Sequence, residues 1–123
     1  MILTVDFNSN EAIYLQIRNQ IIFGIATDQI REGDSLPSVR QLAEDIGINM
    51  HTVNKAYAVL RSEGLLKLDR RYGAVIAFDI DKMRAVEDMK ATMRVIIAKA
   101  ICNNISEEEA HEVIHEIYRD FLR

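Results

Sequence analysis

Between Glu11 and Ile30 apolar residues recur at helical spacing: Tyr14, Ile17, Ile21 and Ile25 form one stripe, with Ile13 and Ile22 beside it. The pattern predicts a helix behind an extended opening, capped by Ser9 or Asn10. The stretch REGDSLPS ends it with Gly33, Asp34 and Pro37. A second stripe follows at Val39, Leu42, Ala43 and Ile46, led by Ser38 as N-cap with Gln41 placed for a capping box. Gly47 supplies a turn, Asn49 a second N-cap, and a third stripe runs through Val53, Ala56, Tyr57 and Leu60 to Gly64. Two short capped helices joined by a glycine turn are the helix-turn-helix pattern. Taken alone, that pair also fits any corner between two helices of an all-α core.

After Gly64 the period changes from helix to strand. Leu65 to Leu68, a polar turn from Asp69 to Gly73, and Ala74 to Phe78 predict a β-hairpin. A hairpin directly after a helix-turn-helix is the wing of a winged helix, here tipped by Arg70 and Arg71 with Tyr72 next. The plainer reading of two tip arginines is a charged edge that discourages strand pairing.

From Asp81 the pattern is helical again. Val86, Met89, Met93, Ile96 and Ala100 step by threes and fours, with Ile97 and Ile101 alongside. Asn103 and Asn104 predict a stop, and Ser106 with Glu109 a capping box. The last helix is expected to bury Ala110, Val113, Ile114, Ile117 and Phe121. A two-helix hairpin of this kind has more apolar surface than it can cover alone, which predicts packing on a second copy. The expected dimer seam takes in Val86, Met89, Met93, Ile96, Ile97, Ala100, Ile114, Ile117 and Phe121. The fold class is therefore mainly α with a small β-hairpin: a winged helix-turn-helix over residues 1–79 and a helical hairpin for dimerisation over 80–123.

Composition sharpens this in three places. At 123 residues, 49% apolar and 28% charged, the chain suits one modest domain with an appendage. Net charge is −4, yet Lys55, Arg61, Lys67, Arg70 and Arg71 cluster between Thr52 and Arg71 against Glu63 and Asp69, while the last helix carries the acid. Segregated charge keeps a nucleic-acid partner open despite the acidic total. The lone Cys102, inside an apolar run, reads as a buried structural thiol in a reducing compartment. With no basic leader and no apolar run long enough to span a bilayer, a soluble, cytoplasmic protein without a membrane partner is expected.

One motif points elsewhere. His111-Glu112-Val113-Ile114-His115 is an H-E-x-x-H, which on a helix can hold zinc beside a general base. A catalytic zinc takes three protein ligands. Only Glu116 and Asp120 remain as ligand types after His115, and His51 lies in the other half of the chain. The expectation is no enzyme, no metal and no cofactor, with His111 and His115 at the edge of the dimer seam. Weak binding of a transition metal by the pair is the intermediate reading.

The stretches AIYLQI, GDSLPSVRQLAEDIGIN and TVNKAYAVLRSEGLL, with Gly73 in the wing, resemble the GntR family of bacterial transcription regulators over residues 11–78. The tail AKAICNNISEEEAHEVIHEIY resembles the YtrA-type subfamily, whose short helical region dimerises. The resemblance implies that Arg40 reaches DNA from the first helix of the motif and that Ser38 caps that helix, leaving its N–H groups to meet a phosphate. It sets Asn49, Met50, His51, Thr52 and Asn54 at the start and outer face of the recognition helix, with Thr52 on the backbone and Arg70 and Gly73 in the wing.

The residues themselves support these roles. Asn54 can pair with adenine N6 and N7, and Lys55 and Arg61 suit phosphates. Three departures bar borrowing an operator from relatives. Asn49-Met50 stands where many members have Ser-Arg, Arg71 where a glycine is usual, and Ala74 where a threonine is usual. Met50 either touches a thymine methyl or meets no base. The expected function is a homodimeric, sequence-specific repressor on a two-fold double-stranded DNA operator. An unidentified small-molecule effector is left room between domains or across the dimer. The alternative is a winged-helix module that binds protein and not specific DNA.

Overall fold

A computed structural model describes residues 3–122, so the first two residues of the extended opening and the last of the tail lie outside the described residues. The elements run α1 (Ile13–Ala26), α2 (Val39–Ile46), α3 (Met50–Ser62), β1 (Leu66–Asp69), β2 (Gly73–Ile76), α4 (Lys82–Cys102) and α5 (Glu107–Phe121). They fall into two compact units, Met1–Asp79 and Ile80–Arg123.

The first unit is built on the expected stripes. Ile17 and Ile21 of α1, Leu42 and Ala43 of α2, and Val53, Ala56, Tyr57 and Leu60 of α3 are all buried, joined by Leu66 of β1 and Ile76 of β2. Helix α3 packs on α1, α2 and β1. Gly47 ends α2 at φ 81° and donates its N–H to Ala43 O at 2.8 Å, which lets the chain turn into α3. Asn49 caps α3 by accepting the His51 N–H at 2.6 Å.

Local expectations fail where tertiary partners compete. Helix α1 begins after Ala12 with no side-chain cap. Ser9 Oγ accepts the Glu11 N–H outside the helix, and Asn10 does not cap it. The opening is fixed from inside α1: buried Gln16 donates to Asp6 O and Glu11 O and accepts the Asp6 N–H, all within 3.0 Å. Ser38 caps α2 through the Gln41 N–H at 3.1 Å, but the Gln41 amide turns away to Asp45 at 2.7 Å, so only half the capping box forms.

The hairpin pairs Leu66 with Ile76 and Asp69 with Gly73, displaced slightly from the strands predicted between Leu65 and Phe78. Leu65 is used earlier, its N–H bonding Leu60 O as the chain leaves α3. A third segment, read from sequence only as a breaker, joins the hairpin. Ser35 bridges Val75, the Leu36 N–H bonds Ala74 O, and the Ile76 N–H bonds Asp34 O, each bond 2.8 Å. The wing is thereby tied to the strand that leads into Ser38.

In the second unit Asp81 caps α4 through the Arg84 N–H at 3.1 Å. Asn104 takes φ 61° in the turn that follows α4. Ser106 and Glu109 form the full capping box of α5. Neither helix has a buried residue. Met93, Ile97, Ala100, Ala110, Ile114 and Phe121 are half-covered, and all other described positions from Ile80 onward are exposed. The expected burial along α5 is therefore absent in the single chain, where Val113 is 50% and Ile117 49% exposed. Cys102 is also exposed and not the buried thiol expected, because the apolar run around it faces outward. Among the described residues no helix is long and apolar enough to cross a membrane.

Candidate nucleic-acid interface

The first unit presents one surface made of the start of α2, the outer face of α3 and the hairpin. Ser38 and Arg40 stand exposed at the first turn of α2, and Asn49, Met50 and His51 at the first turn of α3. Thr52 is partly covered, and its N–H bonds Asn49 O at 3.1 Å. Along α3 the exposed side chains are Asn54, Lys55, Ala58, Arg61 and Ser62, opposite the buried stripe. Polar, short side chains near the N-terminus and basic ones further along suit a helix laid into a major groove.

A groove of about 300 Å³ runs between these elements, lined among others by Ser38, Asn54, Arg61, Leu68, Gly73 and Ala74. It brings together Ser38, Asn54 and Gly73, which lie far apart in sequence. Arg40, the α3 start and the wing arginines stand outside it. Tyr57 closes the floor. Its hydroxyl donates to Pro37 O at 2.7 Å, locking α3 to the residue before Ser38, and burial pushes its phenol well above the ordinary value of 10.0.

Two contacts join α3 and the residue after it to α1. Lys55 Nζ lies 4.1 Å from the centre of the Tyr14 ring, a cation–π contact that turns this side chain toward α1 and not into the groove. At the other end Arg18 makes a two-pronged ion pair with Glu63 just past α3, with Nε to Oε1 at 2.8 Å. The hydrogen bond to Glu63 is the main reason the Arg18 guanidinium holds its proton still more firmly than usual, outweighing partial desolvation.

At the hairpin tip Arg70, Arg71 and Tyr72 are exposed, and Gly73 takes φ 74°. Asp69 Oδ1 accepts the N–H groups of Arg71 and Tyr72 at 2.7 and 3.1 Å. The sequence marks Asp69 as the start of a polar turn closing on Gly73 and gives its side chain no role, although an aspartate at that place commonly caps the turn's N–H groups. Arg61, a phosphate candidate from its place on the outer face of α3, also lines the groove shared with the hairpin, a position with no local signature in the sequence.

The H-E-x-x-H lies on α5. His111 Nε2 is 3.8 Å from Glu107 Oε1, one turn back on the same exposed helix. Among the described residues no three His, Cys, Asp or Glu side chains gather to hold a metal ion.

A helix-turn-helix whose second helix is flanked by a basic-tipped hairpin is a winged-helix domain of the kind found in transcription regulators. Residues 10–76 match the family model described as bacterial regulatory proteins, gntR family. The chain belongs to that family. It is 35% identical over 120 residues to the HTH-type transcriptional repressor YtrA of Bacillus subtilis, spanning 94% of this chain and 92% of that one. Among solved structures, a protein described as a transcriptional antiterminator from Listeria monocytogenes matches with a TM-score of 0.87 and 25% identity, covering 100% of this chain and 94% of the other. YtrA from Sulfolobus acidocaldarius, a GntR-family transcription factor, matches at 0.69 and 37%, covering 83% and 99%. The DNA-binding domain of AraR, solved with its operator, matches at 0.53 and 27%, covering 63% and 99%.

Proposed function

We propose that this protein is a transcription repressor that binds a two-fold operator as a homodimer, one α3 helix entering the major groove of each half-site. The observation that carries the reading is the single surface shared by the α2 start, the exposed face of α3 and the wing, on the fold of a domain that in AraR is solved on operator DNA. Arg40 and Arg61 take phosphates, Asn54 reads a base edge, Asn49, Met50 and His51 face the duplex from the start of α3, and Thr52 meets the phosphate backbone. Arg70, Arg71 and Gly73 form the wing contact. Lys55 joins them only by leaving the Tyr14 ring.

The second copy covers the tail. Val86, Met89, Met93, Ile97 and Ile101 line an open apolar trough of about 540 Å³ along α4, flanked by Lys90 and Arg94. A 21-residue helix with no buried residue gains little from its own chain, and each large apolar side chain fully buried contributes roughly 1.5–3 kcal/mol. Ile96, Ala100, Ile114, Ile117 and Phe121 complete the interface.

Selection of duplexes from a random pool, followed by titration at several salt concentrations, tests the whole reading. Enrichment of a two-fold sequence bound with strong salt dependence supports it. A dimer that ignores DNA in every sequence offered points to the alternative, a winged-helix module for protein partners.

A further inference from the structure

The tip of the wing carries two arginines and a tyrosine on a three-residue loop, and one side chain holds that loop. Asp69 closes the last pair of the ladder, opposite Gly73. Its Oδ1 takes the N–H groups of both Arg71 and Tyr72, at 2.7 and 3.1 Å. No ion pair among the described residues joins its carboxylate to Arg70 or Arg71, so the grip is on the backbone. The loop is otherwise open. Arg70, Arg71 and Tyr72 are exposed, Tyr72 by 64%, and a Cβ at Gly73 would meet nothing within 4 Å. Neighbouring packing therefore does not fix the tip.

We propose that Asp69 is a positioning residue for DNA binding: it preforms the wing tip so that Arg70 and Arg71 meet the duplex without first being ordered. This rests on the operator-binding reading above. The role is counter-intuitive electrostatically, because a carboxylate beside a phosphate-binding tip repels the phosphates. That conflict separates geometry from charge. Asp69→Asn keeps the acceptor oxygen and removes the charge. Asp69→Glu keeps the charge, but its longer side chain moves the acceptor out of reach of the N–H groups two and three residues on.

The test is affinity for the selected operator against salt concentration for the wild type, Asp69→Asn, Asp69→Glu and Asp69→Ala, with melting temperature measured on each. Asp69→Asn should bind as tightly as the wild type or tighter. Asp69→Glu and Asp69→Ala should lose about tenfold, with a salt slope shallower by about one phosphate contact. In a chain already carrying Arg70→Ala and Arg71→Ala, the Asp69→Glu effect should vanish, because the residue acts through those side chains. Asp69→Glu binding like the wild type, or persisting loss in the arginine-free background, overturns the proposal. So does Asp69→Asn as weak as Asp69→Ala. Affinity that merely follows melting temperature across the series overturns it too. A wild type that prefers no duplex overturns the operator-binding reading itself, and this role with it.

Discussion

Residues that sequence patterning marks as core behave as core because each stripe turns one side of its helix onto another element, α3 packing on α1, α2 and β1. Leu42 is 4% exposed between α2 and α3, and Leu42→Ala should cost about 2–5 kcal/mol in urea denaturation while leaving Arg40 in place. Arg40 is the converse case: it stands exposed at the first turn of α2, so Arg40→Ala should leave the melting temperature alone and weaken operator binding by about 1–3 kcal/mol. Tyr57 has both a core face and a polar end. The stripe revealed its ring, whereas its hydroxyl partner, Pro37 O, lies 20 positions away and could not be read locally. A phenol whose folded pKa stands above the unfolded value near 10.0 contributes stability that is intact below that value and drains away as pH rises past it. Tyr57→Phe should therefore cost about 0.5–1.5 kcal/mol at neutral pH and flatten the loss of stability above about pH 10, as followed by denaturant midpoints. The Arg18–Glu63 pair spans 45 positions and was illegible for the same reason.

Elements were legible to the extent that their ends are set by local chemistry. Gly47 turns α2 into α3 at φ 81° with open space around it, so Gly47→Ala should cost about 1–2 kcal/mol of backbone strain and nothing in packing. A cost well above that range in thermal melts would mean the added methyl meets something. The Ser106–Glu109 box was read correctly because both partners sit in one turn of an exposed helix. Its Ser38–Gln41 counterpart formed only half, because Asp45 offered Gln41 another partner one turn on. The bonds from the Ser106 backbone and side chain hold the Glu109 carboxyl below its usual 4.5. A depressed carboxylate stabilises above its unfolded pKa and stops doing so as pH falls through its folded one. Exchange of the Ser106 amide should thus speed up, relative to other α5 amides, as pH falls below the ordinary carboxylate range. The segment before Ser38 shows the opposite limit. Its Gly, Asp and Pro mark a loop correctly, but the strand pairing of Ser35 to Val75 depends on where the hairpin comes to lie.

At the scale of the whole molecule, the winged-helix unit could be read from three ordered stripes and a change of period, and the candidate surface follows from that fold. The groove that gathers Ser38, Asn54, Arg61 and Gly73 could not, since it exists only once the hairpin folds back beside α3. The tail was legible as two amphipathic helices, and the single chain buries no residue of either; the proposed second chain would have to cover them. If that chain is another copy, the melting temperature should rise with protein concentration, and Ile97→Glu should lower it and shift sedimentation toward the monomer. Unchanged sedimentation for Ile97→Glu would place the seam elsewhere. The most direct test of the central claim is the salt dependence of binding to the duplex enriched from a random pool. A two-fold sequence should emerge, bound far more tightly than random DNA, with log affinity falling against log salt by about 0.9 for each phosphate neutralised. No enriched sequence, or an affinity indifferent to salt, would contradict it.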